Sequence, residues 1–327
     1  MSARQNELMQ WLEKITFLDN IHLTPLTNDA SFKRYFRFNN KGKTHIALDA
    51  PPEKEPLSTL IQVNHLLENA GVPVPKIHAI DLDRGYALLD DFGDSLLLHA
   101  LTPDNRMDFY KKAIDALIQI QKAKPYDLSA FNAAHIACEC HLFTDWFVKR
   151  YLNLILTPSE QALLKSTFGW LTTQLTSQPQ IFVHRDYHSR NLMLIEKDNQ
   201  LLGVIDFQDA MLGPLTYDLA SLLKDCYIKL PSACFFDLMR YYYDRQALAT
   251  HWTFDAFARA VDLCALQRHL KVLGIFCRLS LRDQKTGYLN DLPLVMEYVM
   301  DCIPRYTELK SFQDFMTQRV IPAFKER

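Results

Sequence analysis

Apolar residues open the chain at helical intervals. Leu8, Trp11, Leu12 and Ile15 recur every three to four positions and predict an amphipathic helix. Beyond about residue 23 the period changes. Tyr35, Phe36, Phe38, Ile46 and Leu48 lie in short β-prone runs broken by Asn39-Asn40-Lys41-Gly42, so a hairpin is expected with its turn near residues 39–43. A proline-rich step, Pro51-Pro52 to Pro56, leads into a second helical stripe through Leu60, Val63, Leu67 and Ala70, which Gly71 stops. Two more strands are expected at residues 76–80 and 86–89. Residues 1–92 therefore read as a small lobe of antiparallel sheet with one crossing helix.

After Asp90-Asp91-Phe92-Gly93 the pattern is mostly helical. Met107, Tyr110, Ile114, Leu117 and Ile118 mark one face, Ile136, Cys140, Phe143 and Phe147 a second, and Leu263, Leu266, Leu270, Leu273 and Cys277 a third. Such stripes are core faces rather than chemistry. One β-rich island interrupts them: residues 181–183, 192–195 and 201–205. The expected class is α+β, with an N-lobe at 1–92 and a larger, mainly helical C-lobe at 93–327.

Composition adds exclusions. The nine glycines among 327 residues are never closer than eight positions, so neither G-x-G-x-x-G nor G-x-x-x-x-G-K-[ST] can occur. A formal charge of −2 offers no general attraction for nucleic acid or anionic lipid. Arg4, Glu7, Glu13 and Lys14 interrupt the opening segment, and no apolar run approaches the ~18 residues of a membrane span. Seven cysteines, an odd number scattered through helical stripes, fit reduced thiols. Cys138-x-Cys140-His141 has no second ligand pair at a zinc-like spacing. The expectation is a cytoplasmic protein with no membrane, nucleic-acid or obligate protein partner.

The island carries polar residues that a packing role explains poorly. His184, Asp186 and Asn191 form H-x-D-x-x-x-x-N on a loop between apolar runs, and Asp206 ends the run Gly203-Val204-Ile205. A carboxylate at the end of a buried strand is costly unless paired or holding a cation. Phosphoryl transfer needs this set: a base for the acceptor hydroxyl, and oxygen ligands that hold Mg²⁺ against phosphate. H-x-D-x-x-x-x-N alone arises by chance in roughly one chain in a hundred. The added I-D-F fifteen residues past Asn191 makes chance a poor account. The competing reading makes Asp186 a turn residue, Asn191 a cap and Asp206 a paired core acid.

V-H-R-D-Y-H-S-R-N (183–191), V-I-D-F-Q-D-A (204–210) and Y-D-L-A (217–220) resemble the aminoglycoside phosphotransferase family of small-molecule kinases. The resemblance implies a two-lobed protein-kinase-like fold, Asp186 as base, Asn191 and Asp206 as Mg²⁺ ligands, His184 within the catalytic loop, and Asp218 as the Y-D-L-A aspartate. Protein kinases proper match less well. His188 stands where they carry Lys, and only a dozen residues separate Asp206 from Tyr217-Asp218-Leu219-Ala220, so no segment remains to grip a peptide. Residues 29–38, 48–55, 70–93 and 206–225 are similar to the anomeric N-acetylmuramate/N-acetylglucosamine kinases. These phosphorylate the C1 hydroxyl with ATP in a route recycling peptidoglycan sugars of the cell wall. The alternatives are a kinase for another small hydroxyl acceptor (an aminoglycoside, an amino alcohol, another sugar) and a silent nucleotide-binding protein.

The chain departs from the family where ATP is held. Asp49 falls near the expected ATP-pairing Lys, and Gln62 or Asn64 near its Glu partner. Ser31, Lys33, Arg34 and Arg37 are the candidates to take over phosphate contacts, with adenine against Asp90, Asp91 and Phe92. Tyr187, His188, Arg190, Asp209 and Arg268 are candidate sugar contacts; Arg190 or Arg268 would meet the lactyl carboxylate of N-acetylmuramate.

Overall fold

The hairpin signalled by Asn39-Asn40-Lys41-Gly42 closes on a left-handed turn. Lys41 and Gly42 have φ of 52° and 86°, and the Gly42 N–H donates to Asn39 Oδ1 at 2.9 Å. In this computed structural model, residues 3–26, 32–123, 128–195 and 201–327 are described. Elements are numbered along the chain. The chain forms two compact units: residues 1–100 with 190–209, and residues 101–189 with 210–327.

In the first unit, β1 (Thr24–Pro25), β2 (Arg34–Asn40), β3 (Lys43–Asp49), β4 (Ile77–Asp81) and β5 (Tyr86–Asp90) make an antiparallel sheet in the order β1-β2-β3-β5-β4. Alternation sends Phe36, Phe38, Ala47, Tyr86 and Leu88 to one face, where Leu8, Trp11 and Leu12 of α1 (Ala3–Thr16) cover them. The crossing helix, α2 (Leu57–Asn69), buries Leu60, Val63 and Leu67. The short helix α3 (Leu97–Ala100) ends this part of the unit. A second hairpin, β7 (Leu192–Leu194) with β8 (Leu202–Val204), belongs to the same unit. Backbone bonds tie it there: Val204 N–H donates to the Pro73 carbonyl at 2.8 Å, and Leu194 N–H to Ser95 at 2.8 Å. Gly203 lets the Phe92 ring lie against the strand; a Cβ there would stand 2.4 Å from that ring.

The second unit is built on helices: α4 (Arg106–Lys122), α5 (Ala133–Leu142), α6 (Pro158–Thr176), α7 (Tyr217–Leu223), α8 (Ser232–Arg245), α9 (Phe254–Asp283) and α10 (Leu292–Cys302). The stripe Leu263, Leu266, Leu270, Leu273 and Cys277 is buried along α9, the 30-residue helix at its centre. Strands β6 (Gln180–Val183) and β9 (Met211–Pro214) pair antiparallel and deliver the loop that follows β6.

Candidate active site

The loop after β6 is suspended from two buried carboxylates of the second unit. His184 and Arg185 donate their backbone N–H groups to Asp218 on α7, at 2.6 and 2.9 Å. Ser189 donates through its N–H and hydroxyl to Asp225, at 2.9 and 2.6 Å. Hydrogen bonds contribute roughly 0.5–1.5 kcal/mol each, so these four together are enough to hold strained backbone between them. That strain is present: Arg185 has φ of 76°, in the left-handed region. The reversal presents Asp186, whose side chain keeps 40% of its surface exposed beside the buried Tyr187.

His184 and Tyr187 are wholly buried, ring edge against ring, and the Tyr187 hydroxyl donates to the Ala113 carbonyl at 2.7 Å. Tyr187 thus has no surface to offer a sugar. Its expected contact is corrected to a packing role, imposed by the alternation of the loop that turns Asp186 outward. The His188 ring packs edge-on against Tyr227, and its Nδ1 is buried without a partner among the described residues. Burial lowers the His188 pKa, so its neutral form is favoured.

Cations gather near Asp186. Arg268 on α9 is buried, caps the Arg185 carbonyl, and stands 3.8 Å from Asp186 Oδ1. Its other face lies over the Tyr217 ring at 5.0 Å. Burial opposes ionisation of Asp186, but the permanent cations Lys271, Arg268 and Arg185 together hold it well below the usual carboxylate range. Asp186 is therefore a carboxylate at neutral pH, an acceptor for a hydroxyl proton. Arg268, expected as a sugar contact, is tied to the loop backbone beside Asp186. Glu139 and Lys271, joined at 3.0 Å, escaped the sequence reading. Glu139 hides inside a core stripe between Ile136 and Cys140, and only folding brings α5 to α9.

The candidate metal ligands sit in the first unit. Ile205 N–H donates to the Asn191 carbonyl at 3.1 Å, so Asn191 and Asp206 flank the open end of the β7–β8 hairpin. Asp206 has φ of 62° and is exposed, with Gln208 donating to its Oδ1 at 2.7 Å. The expectation of a costly buried carboxylate is thus wrong for Asp206; the left-handed turn lifts it off the buried strand. An amide and a carboxylate oxygen suit Mg²⁺, which keeps waters and substrate phosphates for its other positions. Among the described residues no three His, Cys, Asp or Glu side chains could hold a metal between them. Burial, with the negative charges of Asp206, Glu55 and Asp209, raises the Tyr35 phenol above its usual range. Arg190, half-buried, begins this segment, and Asp209, exposed, ends it.

The expected ATP side is rearranged. Arg34 lies opposite Asp49 in the β2–β3 register and is spent on it; Arg4 Nε of α1 reaches the same carboxylate at 2.7 Å. Asp49 is fully buried and shares the parity of Ala47, so it faces α1. Lys33, expected as a phosphate contact, is buried and lies 3.5 Å from Glu55. Arg37 is committed to Asp91 at 2.6 and 2.9 Å, Asp94 at 2.8 Å and the Gly93 carbonyl at 3.0 Å. Asp90 accepts from Lys43 and His78, both at 2.9 Å. Asn64 is a core tie, donating to the Pro75 carbonyl at 2.9 Å. Ser31 lies outside the described residues.

The sequence profile of the phosphotransferase enzyme family (APH) matches residues 22–251. The chain is 38% identical over 331 residues to an N-acetylmuramate/N-acetylglucosamine kinase of Pseudomonas putida, covering 97% of this chain and 96% of that protein. It is 39% identical over 298 residues to the Pseudomonas aeruginosa protein of the same name, covering 90% and 87%. Among solved structures, it resembles an ethanolamine kinase of Plasmodium vivax at a TM-score of 0.65 and 13% identity, over 92% of this chain and 90% of that one. An ADP-bound aminoglycoside phosphotransferase, APH(2'')-Ib, matches at 0.62 and 14%, over 91% and 98%. At such identities the likeness concerns the fold, which is the protein-kinase-like one expected. No helix among the described residues is long and apolar enough to cross a membrane. A profile covering most of the chain, with whole-length relatives above a third identical, leaves one assignment: the chain belongs to the phosphotransferase enzyme family, as a kinase of α+β protein-kinase-like fold.

Proposed function

We propose that this kinase phosphorylates the anomeric C1 hydroxyl of N-acetylmuramate, N-acetylglucosamine or both, using ATP, in the cytoplasmic recycling of peptidoglycan sugars. The observation that carries the reading is the reach of the identity to the named amino-sugar kinases, which extends over 97% of the chain and so beyond the catalytic loop. Asp186 accepts the hydroxyl proton and orients the oxygen toward the γ-phosphorus. The C1 hydroxyl belongs to a hemiacetal and is more acidic than an ordinary sugar alcohol, so a fully ionised carboxylate suffices. Asn191 and Asp206 would hold Mg²⁺, which neutralises charge on the phosphate oxygens. General-base help is worth roughly 10² to 10⁴-fold, and positioning supplies most of the remainder. The first unit, 1–100 with 190–209, would carry the nucleotide, and the second the acceptor.

With ATP, Mg²⁺ and either amino sugar, the product should be an acid-labile 1-phosphate without a reducing end, its linkage visible by ³¹P and ¹H NMR. A phosphorylated product that still reduces would exclude C1 as the acceptor.

A further inference from the structure

One buried carboxylate of the second unit belongs to none of the family motifs. Glu139 on α5 is 7% exposed and accepts hydrogen bonds from Arg185 Nη2 at 2.6 Å, Lys271 Nζ at 3.0 Å and Gln267 Nε2 at 3.0 Å. Arg185 is the left-handed residue directly before Asp186. Lys271 and Gln267 lie one turn apart on α9, and Arg268 between them caps the Arg185 carbonyl 3.8 Å from Asp186. Glu139 thus holds two of these cations, Arg185 and Lys271, while the third, Arg268, stands beside Asp186. As a device for stability alone this is a poor one. Buried ion clusters are often matched or bettered by apolar residues of the same volume.

We propose that Glu139 is a positioning residue for phosphoryl transfer. It anchors Arg185 and Lys271 so that these, with Arg268, fix the direction in which the Asp186 carboxylate meets the acceptor hydroxyl. The inference rests on Asp186 as the base. Glu139 itself touches neither substrate nor reacting atoms; it acts through the two cations it holds, and a carboxylate aimed an ångström wide of its hydroxyl loses about 100-fold in rate.

The test is steady-state kinetics on the full chain, with the acceptor the wild type turns over. Glu139→Gln keeps the shape and removes the charge. It should lower kcat by about 10- to 100-fold, with both KM values nearly unchanged, the signature of an interaction realised at the transition state. Lys271→Met should do the same, Lys271→Arg should recover most of the loss, and the double variant should be no slower than the slower single one. Wild-type kcat per folded molecule in Glu139→Gln, a change confined to KM, equal activity of the Met and Arg variants, or additive losses would each overturn the proposal. If Glu139→Gln does not fold, Glu139→Asp, which retains the charge and shortens its reach, is read by the same kcat and KM criteria. Asp186→Asn run alongside separates the two failures. If it is fully active the base assignment falls; if it is inactive while Glu139→Gln is normal, only the role of Glu139 falls.

Discussion

Asp218 spends its carboxylate on two consecutive backbone N–H groups, which is why Arg185 can remain left-handed and Asp186 can stand clear of the core. The candidate base is thus placed by a second, buried carboxylate. Asp186→Asn should reduce product formation to background while nucleotide affinity, measured by calorimetry, changes little. Retained turnover would remove Asp186 from the role of base. Tyr187→Phe tests the packing role of that residue. It leaves the Ala113 carbonyl without its donor and should cost about 1–3 kcal/mol in denaturant unfolding, with KM for the sugar unchanged. A raised sugar KM would restore Tyr187 as a contact. Of these residues, Asp186, Asn191 and Asp206 were legible in the sequence because their spacing is local. Glu139 and Lys271 were not, since 132 positions of chain separate them.

Helix α9 shows how an element with an ordinary apolar stripe acquires other duties. Its Gly274 allows the Leu142 backbone to approach so closely that an added Cβ would lie 2.3 Å from the Leu142 carbonyl. Gly274→Ala must push the two helical segments apart. It should destabilise by at least the ~1–3 kcal/mol typical of overpacking, read as a drop in thermal midpoint. His269 on the same helix is buried, stacks on Tyr298 at 4.8 Å and 4°, and bonds to the Lys224 carbonyl at 2.9 Å. Burial drives its pKa down to about 3. The unfolded chain, with a histidine value near 6.5, therefore binds a proton that the folded chain refuses. Stability from this group is present above pH ~6.5 and is lost as the pH falls toward the folded value. His269→Gln, which can keep the carbonyl bond, should flatten the decline of stability between about pH 6.5 and 4; an unchanged slope in denaturant titrations would refute it. In the first unit, strand parity decides what Asp49 meets. One residue either way along β3 changes which face a side chain meets, and the charge pattern alone does not reveal that α1 covers the Asp49 face.

At the scale of the whole molecule, the units are not contiguous in sequence. Residues 190–209 leave the helical unit and join the sheet-bearing one, so Asp186 and its candidate metal partners, Asn191 and Asp206, belong to different units. A reading along the chain takes the island as one piece, because nothing in a local pattern marks such a return. Backbone bonds from Leu194 to Ser95 and from Val204 to Pro73 make the assignment. The scarcity of glycine is answered at this scale too. Arg34, Lys33 and Arg37 are each held by carboxylates, at Asp49, Glu55 and Asp91, instead of projecting from a glycine loop. Omitting Mg²⁺ with chelator should abolish amino-sugar phosphorylation and leave thermal stability unchanged without nucleotide, since the candidate ligands, Asn191 and Asp206, number only two. A large fall in midpoint on chelation would point to a structural metal.

The sequence by itself determined the opening helix, the hairpin at Gly42, the crossing helix, the α9 stripe, and the base and metal-ligand candidates, because each rests on periods or spacings within about twenty residues. Tertiary structure alone decided which charges are neighbours. It buried Tyr187, turned Asp206 out to solvent, paired Arg34 with Asp49, and assembled Glu139, Arg185, Arg268 and Lys271 around one carboxylate. The physical reason is range: hydrophobic periodicity is written locally, whereas the partner of a buried charge is whatever the packing of distant elements brings within a few ångströms.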